Sequence, residues 1–189
     1  MLAQTSVVIM ASGYSKRMGR NKLFLQYRGQ TFLTRTLQLI QQAHFLKTIL
    51  VIKQEDVARQ IFSTDITVIV NPISDYGQST SVRLGAAAAI GQGCLFVPID
   101  QPLLDIATLT KIVNCGNEHN IVFPSGDGSA GSPVYFGCDF FAELKQVTGQ
   151  TGGRQVKQQH RSAWHPVVVD PQKIQDIDTA QQYQRLLKG

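Results

Sequence analysis

The amino-acid sequence predicts an α/β fold in which helices cover both faces of a mostly parallel sheet. Short apolar, β-branched runs alternate with helical patterns, and several of these runs are too continuously apolar to have one face in water. Strands that alternate with helices form βαβ units with right-handed crossovers, so we expect a Rossmann-like, three-layer α/β/α arrangement. At 189 residues the chain can bury a substantial core, and residues 1–189 are predicted to form a single domain.

The predicted strands are runs rich in Val, Ile and other apolar residues that are bounded by polar or turn-forming residues. In chain order they are Ser6 to Met10, Thr48 to Ile52, Ile66 to Val70, Leu95 to Pro98, Ile121 to Phe123, Pro133 to Phe136 and Val167 to Val169. The intervening segment 124–132 is rich in Gly and Ser, which is typical of a turn between two strands. We therefore expect a small antiparallel lobe over the ligand site.

Helices are predicted where apolar residues recur at helical spacing. Leu33, Leu37 and Ile40 fall on one face of a helix. Thr31 is placed to cap the N-terminus of this helix, and Asp105 directly precedes another helix that it can cap. The further predicted helices are Glu55 to Phe62, Thr80 to Ile90, Ile106 to Asn117, Arg154 to Gln159 and Thr179 to Leu187.

The composition narrows the range of partners. The formal net charge is +5, but the cations are scattered apart from the stretch between Lys16 and Arg28, and no aromatic residues are interleaved with them. This pattern favours a small anionic ligand over nucleic acid. The cysteines fit neither a disulfide framework nor a zinc site, and no apolar run is long enough to span a membrane. We expect a cytoplasmic protein with no nucleic-acid or membrane partner.

The segment from Val7 to Lys22 is the most informative part of the chain. An apolar strand runs into a turn of small residues, which is followed by the cations Lys16, Arg17, Arg20 and Lys22. Glycine in such a turn lets backbone N–H groups approach a phosphate closely. The segment lacks the Gly-Lys-Ser/Thr ending of a P-loop and the second glycine of the dinucleotide fingerprint. We interpret it as a nucleoside triphosphate loop; the alternative is a loop whose cations are only solvated surface charges.

Three loops are expected to meet at one edge of the sheet. Residues 11–22, 71–81 and 100–102 each follow a predicted strand, and ligands of open α/β sheets bind beyond the carboxyl ends of the strands. Asp100 would lie at this edge, where a carboxylate can hold Mg²⁺ against phosphate oxygens. A helix N-cap is the alternative role for such an aspartate, but Asp105 is the better candidate for capping.

A series of motifs follows in a fixed order along nearly the whole chain. The segment Met10 to Lys22 matches the pattern L-A-[AG]-G-x-S-x-R-M-G-x-x-K except at its first and third positions, which are Met10 and Ser12. It is followed by Asn71-Pro72, Gly77 to Gly85, Asp100-Gln101-Pro102, Gly128 to Pro133, Gly152-Gly153-Arg154 and Asp176-Ile177-Asp178-Thr179. In this order the motifs resemble the MobA-like nucleotidyltransferases of molybdenum cofactor maturation, the molybdopterin cytidylyl- and guanylyltransferases. The resemblance implies a fold like that of the nucleotide-diphospho-sugar transferases.

The resemblance also implies a role for each matching residue. Arg17, Lys22 and Asp100 would be catalytic. Arginine offers a planar fork suited to phosphate, and lysine offers a compact charge that can follow the departing pyrophosphate. The expected nucleotide contacts are Ala11, Ser12, Gly13, Ser15, Arg17, Lys22, Asn71, Gly77, Ser79 and Ser81, and the expected acceptor contacts are Gln101, Pro102, Gly131, Pro133 and Arg154.

The metal implied by the resemblance is Mg²⁺. Asp100 would be one ligand, and the second would come from the Asp176-Ile177-Asp178-Thr179 segment. We favour Asp176 as this ligand and expect Asp178 to cap the last helix.

The reaction implied is nucleotidyl transfer. The terminal phosphate of molybdopterin would attack the α-phosphorus of CTP and expel pyrophosphate, while Mg²⁺, Arg17 and Lys22 neutralise charge. A phosphate monoester has a second pKa of about 6, so the nucleophile is largely ionised at neutral pH and needs no general base. CTP is favoured because Asp100-Gln101-Pro102 and residues 77–81 resemble the cytidylyl branch. Ser12 matches neither branch, since the cytidylyl branch carries alanine there and the guanylyl branch carries glycine.

Three alternatives remain open at this point. One is a guanylyltransferase that uses GTP on molybdopterin, and another is a cytidylyltransferase that uses a sugar or polyol phosphate. The third is a molybdopterin carrier without catalysis, although Asp100 and Asp176 would have no purpose in simple carriage. The resemblance also allows a transient contact with a recipient molybdoenzyme.

Overall fold

The computed structural model describes residues 1–15, 17–59, 62–73, 77–126 and 129–188. Lys16, Gly128 and part of the predicted helix Glu55 to Phe62 lie outside these residues. The strands are β1 (Thr5–Ala11), β2 (Gln26–Tyr27), β3 (Gln30–Thr31), β4 (Lys47–Ile52), β5 (Ile66–Val70), β6 (Gly93–Pro98), β7 (Ile121–Gly126), β8 (Ser129–Ala130), β9 (Val134–Gly137) and β10 (Trp164–Val168).

The main sheet confirms the predicted α/β class. Its strand order is β10-β7-β9-β6-β1-β4-β5, and β1 runs parallel to both of its neighbours, β4 and β6. The β4–β5 and β7–β10 pairs are also parallel. Every predicted strand is present, with bounds that differ by a few residues.

The strands that flank the segment 124–132 are antiparallel, as predicted. β8 and β9 both run antiparallel to β7, and β9 lies within the main sheet, where it also runs antiparallel to β6. The short connection between β7 and β9 explains this orientation, because two parallel strands would need a long crossover. A separate antiparallel pair does exist, but it is formed by β2 and β3, which the sequence did not predict.

The helices follow the predicted order. They are α1 (Phe32–Ala43), α2 (Gln54–Val57), α3 (Gln78–Ala88), α4 (Ile106–Asn114), α5 (Phe141–Leu144), α6 (Arg154–Gln159) and α7 (Ala180–Lys188). Both predicted caps are confirmed: the Thr31 side chain accepts from Thr34 N, and the Asp105 side chain accepts from Thr108 N at 2.9 Å. Each cap satisfies a backbone N–H that has no partner within its helix.

The cap predicted for the last helix is wrong. Helix α7 begins at Ala180, and its first-turn backbone N–H at Gln182 donates to Thr179 Oγ1 at 3.2 Å. Threonine at this position therefore takes the capping role. Asp178 points its carboxylate at cations instead.

The core fills both faces of the sheet. Val7 and Ile9 of β1 belong to one buried apolar cluster, and Val8 belongs to another on the opposite face. Because successive strand residues point to opposite faces, a strand covered on both sides must be continuously apolar. The reversal of strand order at β1 creates a crevice beyond the carboxyl ends of β1 and β6, where ligands of such folds bind. In the described ranges, no helix combines the length and apolarity needed to traverse a bilayer.

Candidate active site

A cavity of about 500 Å³ opens beyond the carboxyl ends of β1 and β6. We call it the first cavity. Its lining brings together the three loops that were expected to meet, because β6, β1 and β5 run parallel in one sheet and their loops all leave at the same edge. The lining residues are Met10, Ser12, Gly13, Tyr14, Ser15, Lys22, Leu23, Gly77, Gln78, Ser81, Pro98, Ile99, Asp100 and Gln150.

The loop after β1 folds back on itself and so delivers Lys22 to this cavity. Ser15 adopts a left-handed conformation with φ of 50°, and its Oγ accepts from Lys22 N at 3.1 Å. Met18 N donates to Ser15 O at 2.9 Å, and Gly19 has φ of 67°, a torsion that glycine adopts without strain. Asn21 then caps the short 3₁₀ turn Lys22–Phe24 by accepting from Leu23 N.

Lys22 and Asp100 line the first cavity and belong to a cluster of cations and carboxylates. Lys22 Nζ lies 2.8 Å from Asp100 Oδ2 and 2.6 Å from Asp178 Oδ1. Arg17 Nη2 lies 2.9 Å from Asp178 Oδ2, although the Arg17 side chain is 73% exposed. Burial by itself would lower the pKa of Lys22, but the charges and hydrogen bonds of Asp100 and Asp178 outweigh it and raise that pKa. Lys22 is therefore fully charged at neutral pH.

The backbone holds a third carboxylate, that of Asp176, close to this cluster. Ile177 N donates to Asp100 O at 2.9 Å, which fixes the Asp176–Asp178 segment against the end of β6. Gln101 Nε2 lies 3.0 Å from Asp176 Oδ1 and from two backbone carbonyls. Burial, together with the charge of Asp100, raises the pKa of Asp176 to about 6. An added cation would stabilise the ionised form of this carboxyl group.

The carboxylates suit a divalent cation that is held partly by the substrate. Asp100 and Asp178 already converge on one cationic group, the ammonium of Lys22. Over the described part of the chain, no three His, Cys, Asp or Glu side chains gather closely enough to hold a metal ion by themselves. Mg²⁺ commonly binds through one or two carboxylates plus substrate phosphates. Asp100 suits this arrangement, and Asp176 lies near enough for the charge of Asp100 to raise its pKa.

A buried polar network lies beneath the opposite wall. Ser12 Oγ and Ser81 Oγ are 2.5 Å apart, and Asn71 Nδ2 donates to Ser12 Oγ at 3.0 Å and to Thr80 Oγ1 at 2.8 Å. All of these side chains are buried. The network joins the loop after β1 to the start of α3, so it fixes the distance between two walls of the cavity.

A second cavity of about 630 Å³ adjoins the first and shares Met10, Gln78 and Gln150 with it. The loop containing Gln150 packs so closely on Gly77 that an added Cβ would lie 2.3 Å from Gln150 Oε1, so only glycine fits there. The remaining lining residues of the second cavity are Val82, Phe96, Gly131, Ser132, Val134, Phe136, Thr151, Gly153, Arg154, Lys157, Gln158 and Trp164.

The structure places the predicted nucleotide residues in two groups. Ser12, Gly13, Ser15, Lys22, Gly77 and Ser81 line the first cavity. Ala11, Arg17, Asn71 and Ser79 are not part of its lining. Ala11 is buried at the end of β1, Asn71 supports the polar network, and Ser79 Oγ donates to Gly149 O. Arg17 reaches the cluster through Asp178.

The predicted acceptor residues also divide. Gly131 and Arg154 line the second cavity, whereas Gln101, Pro102 and Pro133 line neither cavity. Gln101 is only 3% exposed and uses its amide to hold the Asp176 segment. The Pro102 carbonyl accepts from Arg35. The described geometry thus gives Gln101 and Pro102 contacts within the protein.

Sequence reasoning missed two features of the site. It assigned Asp178 to capping, although the alternation in Asp176-Ile177-Asp178 allowed both carboxylates to reach the cluster. It also overlooked Lys157 and Trp164, which line the second cavity. The spacing of Arg154 and Lys157 was the available signal, because residues three apart lie on the same face of a helix.

Known proteins match this chain over most of its length. A family model described as MobA-like NTP transferase domain matches residues 7–177. The purine catabolism protein PucB of Bacillus subtilis is 26% identical over 93% of this chain and 92% of that protein. The molybdenum cofactor cytidylyltransferase of Escherichia coli is 28% identical over 78% of each chain.

Solved structures show the same fold. Rv0371c from Mycobacterium tuberculosis is 28% identical, with a TM-score of 0.85 and 100% coverage of both chains. A structure of Rv0371c with manganese matches with a TM-score of 0.82 at 28% identity, over 98% of this chain and 99% of that one. The 2-C-methyl-D-erythritol 4-phosphate cytidylyltransferase from Thermus thermophilus is 16% identical, covers 97% of both chains and has a TM-score of 0.74, so it shares the fold alone.

Proposed function

The chain belongs to the MobA-like NTP transferase family, and we propose that it transfers CMP from CTP to the terminal phosphate of a molybdopterin-type acceptor, releasing pyrophosphate. Its membership of a nucleotidyltransferase family rests on the match over residues 7–177. The observation that carries the proposed chemistry is that Asp100 and Asp178 both pair with Lys22, and that Lys22 and Asp100 line the first cavity.

The residues of the first cavity have distinct roles in this proposal. Gly13 and Ser15 are the residues through which the loop after β1 contacts the triphosphate. Lys22 stabilises the charge that builds up on the departing pyrophosphate. Arg17 is largely exposed and pairs with Asp178, so its guanidinium can turn toward phosphate oxygens when a triphosphate enters. These groups position the triphosphate and neutralise its charge, which is most of what phosphoryl-type transfer requires.

Mg²⁺ is the proposed cofactor, with Asp100 and Asp176 as its protein ligands. When bound, the ion would offset negative charge on the triphosphate and make the α-phosphorus more electrophilic. Asp178 holds Lys22 and Arg17 on the other side of the cluster. Lys22 and Asp100 line the first cavity, and Arg17 and Asp178 belong to the same charged cluster behind them.

The acceptor is proposed to enter from the second cavity. Gly131 and Arg154 line that cavity, and its shared border with the first cavity at Gln78 and Gln150 provides a route between the two substrates. The Escherichia coli relative, a molybdenum cofactor cytidylyltransferase, favours molybdopterin over a sugar phosphate as the acceptor. Gln101, Pro102 and Pro133 would support the acceptor loops from beneath.

The choice of CTP rests on the Asp100-Gln101-Pro102 motif and the 77–81 segment. Ser12 keeps GTP as the second candidate, since its position distinguishes the two branches and carries the residue of neither. Its hydroxyl is already bonded to Ser81 Oγ and Asn71 Nδ2 within the protein, which favours a structural role over a contact with the base. We therefore retain CTP.

Pyrophosphate release with purified protein, molybdopterin and each of the four ribonucleoside triphosphates tests the proposal. We expect CTP with Mg²⁺ to give the highest turnover and GTP to give a lower one. A parallel series replaces molybdopterin with methylerythritol phosphate. Turnover only with the sugar phosphate would overturn the acceptor, and binding of molybdopterin without any pyrophosphate release would indicate a carrier.

A further inference from the structure

Lys157 of helix α6 is a buried lysine with no acidic partner among the described residues. It is only 7% exposed, and the ion pairs and side-chain hydrogen bonds within the described ranges do not involve its Nζ. Its ammonium faces aromatic rings instead: Nζ lies 3.1 Å from the centroid of Phe123 and 5.3 Å from that of Trp164.

The surroundings of Lys157 are unfavourable to an isolated charge. Burial, with a further contribution from the nearby charge of Arg154, lowers the pKa of Lys157 to about 8. Contacts between a cation and aromatic faces offset part of this cost. A buried ammonium usually has an anionic partner as well, because removal from water is expensive. The missing partner points to a ligand.

The aromatic wall around Lys157 is held rigidly. Trp164 Nε1 donates to Lys157 O at 2.6 Å, which ties the indole to helix α6. Phe123 packs edge-to-face on Trp164, with ring centroids 5.4 Å apart. Lys157 and Trp164 both line the second cavity together with Arg154, Phe96 and Phe136. The cavity thus combines two cationic side chains with three aromatic ones.

We propose that Lys157 binds an anionic group of the acceptor and that this acceptor contains a flat conjugated ring, which the aromatic wall of the second cavity receives. The assignment of the ligand as the acceptor rests on the proposed function, whereas the anion site itself rests on the geometry around Lys157. Of the two cationic side chains in the second cavity, the family resemblance gave a role to Arg154 but not to Lys157. Lys157 and Trp164 are additional determinants of which acceptor this chain accepts.

Binding of small probes tests the proposal without any turnover. Trp164 is the only tryptophan in the sequence, so its fluorescence reports on the second cavity directly. The probes are pterin-6-carboxylate, which combines a flat ring with an anion, and 6-methylpterin, which lacks the anion. Calorimetry provides an independent dissociation constant. We expect the carboxylated probe to bind at least about tenfold more tightly, as for a hydrogen bond to a charged group.

Three substitutions separate the charge of Lys157 from its packing. Lys157→Met keeps the length and removes the charge, so the carboxylated probe should bind about tenfold or more weakly, while 6-methylpterin is little affected. Lys157→Arg should retain most of the binding, because guanidinium is charged and stacks on aromatic rings. Lys145→Met removes a lysine that is exposed at the end of α5 and should change nothing. Circular dichroism and the affinity for CTP with Mg²⁺ establish that each variant is folded.

The outcomes distinguish this inference from the proposed function. Equal binding of pterin-6-carboxylate by wild type and Lys157→Met would overturn the inference, as would a wild type that fails to bind this probe at millimolar concentration. Either result leaves CMP transfer by the first cavity intact. Conversely, if Lys157→Met loses the probe but the wild type releases no pyrophosphate with any triphosphate, the anion site is supported and the proposed function fails.

Discussion

The two cavities each contain a lysine that is almost fully buried, and the two lysines are held in opposite ways. Lys22 is 8% exposed and Lys157 is 7% exposed. Lys22 lies between two carboxylates, which raise its pKa, whereas Lys157 lies between aromatic rings and has a pKa lowered to about 8. Equal burial therefore says little about the charge state of a lysine. The groups that face the lysine determine its pKa.

The difference implies different events when ligands arrive. In the first cavity Lys22 already faces two carboxylates, so the phosphates of a triphosphate would have to compete with Asp100 and Asp178 for its ammonium. In the second cavity Lys157 has no acidic partner among the described residues, so an anion would face no such competition. An anion entering there supplies a partner, and the favourable charge interaction is gained without a competing loss.

The largest effect expected is that of Asp100→Asn on turnover. Asparagine keeps the size of the side chain but removes the charge that faces Lys22 and the proposed metal. We expect the rate of pyrophosphate release to fall by roughly a thousandfold, the upper range for loss of one electrostatic group in a catalytic site. The measurement is pyrophosphate release at saturating CTP, with a thermal melt to verify folding.

Asp139→Asn is the matched control for this substitution. Asp139 also pairs with a basic side chain, His119, at 2.6 Å, but both groups are largely exposed and lie outside the two cavities. Its replacement should leave turnover within about twofold, as for most surface substitutions. Near-normal activity of Asp100→Asn would remove the first cavity from the mechanism.

Arg17→Ala is expected to have the next largest effect, on kcat/KM for the triphosphate. The side chain is exposed and makes one ion pair with Asp178, so stability should change by less than about 1 kcal/mol. Activity should fall about a hundredfold, because a guanidinium on phosphate stabilises the developing charge. Arg185→Ala, in the last turn of α7, is the control. A rate equal to that of wild type would mean that Arg17 pairs with Asp178 but does not contribute to catalysis with the triphosphate.

The comparison of the two lysines can be sharpened by the pH dependence of stability. The pKa of Lys157 falls from 10.5 to about 8 on folding, so the unfolded chain binds more protons between these values. The cost of the buried charge is therefore fully present below pH 8 and is relieved as the pH rises toward 10.5. Since one pKa unit corresponds to about 1.4 kcal/mol, the relief is at most about 3.5 kcal/mol.

Chemical denaturation of wild type and Lys157→Met between pH 7 and pH 9.5 measures this relief. The free energy of unfolding of wild type should rise relative to the variant across that window, by about 1 to 2 kcal/mol. Lys22→Met should instead be less stable than wild type throughout, because it leaves two carboxylates without their cation. Parallel curves for wild type and Lys157→Met would show that Lys157 is already neutral or better solvated than its burial implies.

The sequence predicted the fold and the first cavity better than the second. Continuous apolar strands and the glycine-containing loop after β1 are local patterns, and topology then brings their ends together at one edge. The position of β9 depends on pairing between distant segments, which no local pattern records. The site of Lys157 depends on Phe123 and Trp164 from two neighbouring strands, so only the packed structure shows that this lysine lacks an acidic partner.

Asp178 shows the same limit at a single residue. An aspartate shortly before a helix is a common cap, and that local rule led to the wrong assignment. Thr179 also satisfies the rule, and it is one residue nearer to the helix. Arg17 and Lys22 are the cations that pair with Asp178, and both are distant from it in sequence. The spacing of residues around Asp178 therefore could not show that its carboxylate faces these cations and not the helix N-terminus.

The smallest effect expected is that of Ser12→Ala on the choice of triphosphate. The Ser12 hydroxyl is shared by Ser81 and Asn71, much as Lys22 is shared by two carboxylates, so it is satisfied before a ligand arrives. Loss of the hydroxyl should cost about 1 kcal/mol of stability. Ser6→Ala, which removes a buried hydroxyl bonded to Ile90 O far from either cavity, should cost a similar amount.

The ratio of kcat/KM for CTP over GTP separates these two serine variants. In Ser12→Ala we expect the ratio to rise by less than about tenfold, because alanine removes the hydrogen bond to Ser81 without removing a group that faces the base. In Ser6→Ala the ratio should equal that of wild type. A drop of more than about a hundredfold in Ser12→Ala would mean that the hydroxyl leaves its internal partners and bonds to the base. The first cavity would then also contain a polar group that becomes available only when its ligand binds.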